Sequence, residues 1–255
     1  MEVEVRVGGA ELGGRLDGEI RLEDGGGFRS GTVSLVRSIK IPRDFTHTKQ
    51  TVAKTSLDSG ESDGEGWCRF SLPVPRDELR TCSTTTTAIA WHVEAKLKRG
   101  LLRSAGARQA IEVSGDVRAR FDRWQGQLKG RSDTSVDIQP AEADVIVRLA
   151  GASFPIEVGV QTSSWHDETI KHGTRRVSPH ATGPGHLTTV TTMHIDQRWP
   201  EAERWIQVLG PDPVRISLEG IPPTVTADPG GIETTIAFRH VGSDEPFMAV
   251  PIAVR

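Results

Sequence analysis

Five histidines, His166, His172, His180, His186 and His194, fall between positions 166 and 194, and histidine is the commonest metal ligand. None of their spacings matches a two-ligand helix motif or a Cys/His zinc pattern. The stretch from Trp165 to Gly185 carries Gly173, Ser178-Pro179 and Gly183-Pro184-Gly185, so solvated loop histidines are expected, with a metal in region 166–194 as the alternative. Serines, histidines and aspartates are plentiful, yet no Gly-x-Ser-x-Gly elbow is present. The carboxylate pairs Asp167-Glu168 and Asp244-Glu245 sit in polar, turn-like contexts that suit a solvated face better than a general acid and base. Gly25-Gly26-Gly27 lies between strand patterns and reads as a hairpin turn, not a phosphate loop. The expectation is a protein with no catalytic residues, no metal site and no cofactor.

Three other groups could bind. Lys96, Lys98, Arg99, Arg103 and Arg108 form a loose basic cluster around a turn between two strand patterns. Its plain role is to keep strand ends soluble and unpaired; its functional alternative is docking of an acidic partner or lipid headgroups. Trp67, Trp165 and Trp199 could stack on a sugar if exposed. Cys68 and Cys82 are the only cysteines, and Cys68 is in phase with Phe70 and Leu72, so both are expected as reduced structural thiols.

Composition narrows the class. A net charge of −3 gives no general attraction to nucleic acid or anionic membrane. The first residues alternate as Met1-Glu2-Val3-Glu4-Val5-Arg6-Val7 and lack the order of a signal peptide. No apolar run approaches the roughly 20 residues a membrane helix needs. A cytoplasmic protein is expected, with peripheral membrane contact left open.

The elements that must position these residues are mostly strands. Alternation at period two marks Val3/Val5/Val7, Ile20/Leu22, Val33/Leu35, Ile39/Ile41, Phe70/Leu72, Ile89 to Leu97, Val145 to Leu149, Ile156 to Val160, Ile216/Leu218, Ile232 to Phe238 and Met248 to Val254. Turn chemistry such as Asp24-Gly25, Asp63-Gly64 and Asp228-Pro229-Gly230-Gly231 separates them. One stretch predicts a helix. Pro200 is placed for a helix start, glutamates follow it, Gly210 closes it, and Ala202, Trp205, Ile206 and Leu209 share a helical face. A short amphipathic helix over 200–209 is therefore expected.

Two stretches also repeat one pattern. A short proline-broken strand, Trp67 to Pro75, precedes the longer Ile89 to Leu97. Val214 to Pro223 likewise precedes Ile236 to Val241. The expected fold is all-β, with two tandem antiparallel β-sandwiches of immunoglobulin-like type. These would span 1–115 and 144–255, with 116–143 as linker and first strand of the second.

Phe70-x-Leu72-Pro73, the strand Ile89-x-Trp91-x-Val93-x-Ala95 and the basic turn Lys98-Arg99-Gly100 resemble the amino-terminal domain of arrestin-like proteins. Gly18-Glu19-Ile20-Arg21-Leu22 and Gln109-Ala110-Ile111-Glu112-Val113 resemble further strands of that domain. The resemblance is clearest over 1–113. This family includes arrestins, retromer subunits and bacterial sporulation-control proteins. The resemblance implies a non-catalytic adaptor or scaffold that binds protein partners, and the Tyr-free composition fits a bacterial, regulatory protein. The chain ends in a strand pattern, Val250 to Arg255, and shows no lysine pair near its start, so phosphate-triggered switching is not implied. The rival expectations are a carbohydrate- or small-ligand-binding sandwich and a self-assembling structural subunit.

Overall fold

Valine, isoleucine and threonine alternate with charged residues along most of this chain, and the backbone answers with strands. The computed structural model describes residues 2–24, 26–41, 45–58, 62–100, 103–151, 155–173, 190–227 and 230–255. In chain order the strands are β1 (Val3–Val7), β2 (Ala10–Glu11), β3 (Arg15–Leu22), β4 (Ser30–Ile41), β5 (Phe45–Asp58), β6 (Cys68–Pro73) and β7 (Cys82–Ser83). Then come β8 (Ala88–Arg99), β9 (Arg103–Ile111), β10 (Val113–Ser114), β11 (Trp124–Leu128), β12 (Arg131–Ala141) and β13 (Asp144–Ala150). The last are β14 (Ile156–Gly173), β15 (Val190–Val208), β16 (Val214–Ser217), β17 (Val225–Ala227), β18 (Gly230–His240) and β19 (Met248–Ile252). No helix occurs among the described residues.

These strands form several sheets. In the first half β1, β3 and β6 make one sheet, and β5-β4-β8-β7 with β9 on β8 make another. In the second half β11-β12-β13-β16 form one sheet and β15-β14-β18-β17, with β19 on β18, form another. Neighbours run antiparallel except the short pair β2 and β10.

Hydrophobic side chains gather into two core clusters. The first takes residues from Ala10 to Val113 and adds Val225 from far along the chain. The second runs from Val117 to Val254. Alternation does the sorting: on β8, Ile89, Trp91, Val93, Ala95 and Leu97 are buried, while Lys96 and Lys98 between and beyond them are exposed. Trp91 donates its indole N–H to the Leu79 carbonyl at 2.8 Å, so the largest buried side chain leaves no unpaired donor.

The helix expected over 200–209 is a strand instead. β15 pairs with β14 along its full length and has no partner on its other side among the described residues, where it is an edge. Pro200 lacks an N–H and is tolerated on an edge strand. The pairing also shifts there: Thr162 faces Ala202 and Ser163 faces Pro200, leaving Glu201 as the extra residue of a bulge. The apparent helical face dissolves accordingly. Val208 is buried, while Ile206 is 37% and Leu209 75% exposed. Segment 116–143, expected as linker and first strand, holds β11 and the whole of β12.

Candidate binding surfaces

The outer face of the β5-β4-β8-β9 sheet is built by register. Its inward residues, Val33, Leu35, Leu57, Val93 and Leu97 among them, belong to the first core. The alternate positions must therefore point out, and they align in three rows across the four strands. The rows are Lys54–Ser34–Glu94–Arg108, Ser56–Thr32–Lys96–Gly106 and Asp58–Ser30–Lys98–Ser104. Small hydroxyl residues and Gly106 make the floor low, leaving a depression of about 540 Å³ beside Lys96 and Arg108.

Charge on this face is unbalanced. Lys54, Lys96, Lys98 and Arg108 stand against Glu94 and Asp58. Glu94 is already engaged: Lys49 Nζ lies 2.6 Å and His92 Nε2 3.1 Å from its Oε1. The Lys49 hydrogen bond is the main reason the Glu94 carboxyl titrates below its ordinary range. Among the described residues Lys54, Lys96 and Lys98 make no ion pair. Lys96 and Lys98 belong to a central strand of the sheet, so protecting a sheet edge does not account for them.

His92 sits at the margin of this face, 2% exposed. Arg108 Nη2 lies 3.2 Å from its Nδ1 and the Glu94 carboxylate 3.1 Å from its Nε2. A guanidinium can only donate and a carboxylate only accept, so these partners specify a neutral ring with its proton on Nε2. Burial, then the Arg108 charge, pushes the His92 pKa below its ordinary 6.5.

The basic cluster expected from sequence is thus partly regrouped. Lys96, Lys98 and Arg108 share the face; Lys54 joins them from β5, 42 positions before Lys96, which only the strand pairing reveals. Arg99 turns away to Asp24 at 2.7 Å and lies over Gly26. Arg103 faces Arg99 at the hairpin end.

A second surface lies where the two core clusters meet. Val225 enters the first core. Arg80 Nη2 donates to the Ile221 carbonyl at 2.5 Å and Nη1 to that of Gly115 at 3.5 Å. Asp77 accepts from Arg120 at 2.6 Å. Beside this seam is a cleft of about 790 Å³ lined by Arg76, Arg80, Arg118, Asp116, Glu142 and Glu219, among others. Its charges are mixed, so it selects no single ligand charge.

No family model matches the chain, and no curated protein does. Among solved structures, squid arrestin matches at 7% identity with a TM-score of 0.46, over 99% of this chain and 92% of that one. At that identity and score the likeness bears on neither ancestry nor activity.

The remaining sequence candidates separate cleanly. Trp67 is buried, with the guanidiniums of Arg6 and Arg21 over its ring at 4.0 and 4.3 Å. Trp165 and Trp199 are half-buried on opposite sides of β14 and β15. His166, His172 and His194 lie on strands β14 and β15, not in a loop; the side chains of His172 and His194, and all of His180 and His186, fall outside the described residues. Among described residues no group of His, Cys, Asp and Glu gathers for a metal. Cys68 and Cys82 are not joined in a disulfide, and burial raises the Cys82 pKa, which disfavours the reactive thiolate. Glu245, in an exposed turn, donates its backbone N–H to Ser243 Oγ.

Proposed function

We propose that the chain is a non-catalytic adaptor that recruits an acidic protein segment to the outer face of β5-β4-β8-β9. One observation carries this reading: Lys54, Lys96 and Lys98 are held in register on a hydroxyl-floored face with no carboxylate pairing them among the described residues. Successive outward residues on a strand are about 6.6–6.8 Å apart. Lys96 and Lys98 therefore match alternate acidic side chains of an extended segment. The face carries no large apolar residue to enter a bilayer and no aromatic to stack on a base. Complementary charge would speed encounter and select partners more than it would deepen affinity.

In this reading residues 1–115 and 144–255 are two β-sandwich lobes, with 116–143 joining them. The two core clusters support that division. The protein works in the cytoplasm; no described helix is long and apolar enough to cross a membrane. Affinity recovery from the native cell tests the proposal. Proteins bearing acidic segments should copurify with the native chain and be lost with K54E/K96E/K98E. Recovery unchanged by the triple variant overturns it.

A further inference from the structure

We infer that the outer face of β14 and β18 carries a second, independent site, a carbohydrate pocket walled by Trp165. It does not rest on the adaptor reading. One row of the sheet runs Arg198–Trp165–Gly231–Thr226 across four strands. Gly231 lets the β17 backbone approach closely, a Cβ there falling 2.1 Å from the Val225 carbonyl, and Trp165 and Thr226 on either side of it line a cavity. The adjoining row places Glu233 on the same face, and Arg198 Nη1 lies 2.9 Å from its Oε2. Pro251 and Thr224 close the far side, giving a cavity of about 430 Å³, at the small end of the roughly 300–1,000 Å³ typical of ligand sites.

Its place on the cavity wall singles Trp165 out, since Trp124 and Trp199 are also half-buried. Trp67 and Trp205 each have a guanidinium over the ring, at 4.0 Å from Arg6 and from Arg239, and Trp91 is enclosed in the core. Trp165 is half-exposed, and among the described residues no ring or cation covers it and its indole N–H has no partner. A large aromatic left this way beside polar groups suits a ligand with one apolar face and a polar rim.

The polar groups choose the class. Glu233 accepts, Arg198 donates and the exposed Thr226 hydroxyl does both. An anion would meet Glu233 and Asp167, which also lines the rim; a cation would meet Arg198. A neutral pyranose satisfies both, with C–H groups against the indole and vicinal hydroxyls bridging carboxylate and guanidinium.

The test is saturation-transfer NMR of the full chain with methyl pyranosides of glucose, mannose, galactose and N-acetylglucosamine, and with disaccharides built from them. At least one probe should show transfer concentrated on one face of the ring. That signal should vanish in Trp165→Ala, fall at least about fivefold in Glu233→Gln, and be unchanged in K96E. Should Trp165→Ala fail to fold, Glu233→Gln and Thr226→Val, both at exposed or partly exposed positions, carry the same test. No transfer from any probe, transfer indifferent to these variants, or tetramethylammonium or a proline-rich peptide binding in place of the sugars overturns the inference.

Discussion

Glu201 Oε1 accepts the backbone N–H of Thr85 at 2.8 Å, joining residues 116 positions apart. The same oxygen accepts the Ser164 hydroxyl at 2.5 Å. Glu201 reaches both because it is the bulged residue of β15, displaced from the ladder toward the segment before β8. Nearby, Thr87 donates to the Gly231 carbonyl at 3.4 Å. A strand irregularity thus supplies a tie between the two core clusters.

Removing that tie should cost stability. Glu201→Ala leaves the Thr85 N–H and Ser164 hydroxyl without their acceptor, and about 1–3 kcal/mol of loss is expected. Glu201→Gln keeps an acceptor oxygen and should lose less. Urea unfolding checks this, with the midpoint falling and the slope unchanged.

Glycine at 159 is required by close approach. A Cβ there would sit 2.2 Å from the Arg204 carbonyl and 2.7 Å from the Trp205 ring, which lies across it beneath Arg239. Gly159→Ala should destabilise by about 1–3 kcal/mol through forced displacement of β15. Gly27→Ala, with open space around its Cβ position, is the control and should change little. Thermal unfolding of both variants decides the matter.

Stability should fall on the acid side through His92. Its folded pKa lies below the ordinary 6.5, so as pH drops past about 6.5 the unfolded chain takes up a proton that the folded one refuses. Stability is then lost until the folded pKa is reached. Glu94, whose folded pKa is also depressed, adds loss at lower pH as it too is protonated. His92→Gln should flatten the first part of this decline, and Glu94→Gln the second. Urea midpoints measured across the pH range give the readout.

The strands were legible in sequence because each buries one side: Ile89 to Leu97 and Ile232 to Phe238 alternate cleanly, and the core clusters contain those inward residues. Residues 200–209 misled because an edge strand buries little. Trp205 lies on the outer side against Gly159 and Arg204 reaches across to the Ser217 and Glu219 carbonyls, so period two is blurred while a helical spacing arises by coincidence. The basic face was half legible. Lys96, Lys98 and Arg108 are neighbours along one hairpin, but Lys54 joins them only through the pairing of β5 with β4 and β4 with β8. Register between distant strands is a tertiary fact, and local pattern does not carry it.

The central claim is tested most directly by fluorescence anisotropy with a short labelled peptide alternating Glu and Thr, titrated with the full chain. Binding should weaken as salt rises from about 50 to 200 mM. K54E/K96E/K98E should weaken it at least about tenfold, a difference of roughly 1.4 kcal/mol, with unfolding unchanged. A Gln/Thr peptide should not bind, nor should vesicles of phosphatidylserine and phosphatidylcholine. Equal binding by the native and triple-variant chains, or a preference for the vesicles, would contradict the assignment of this face to an acidic protein partner.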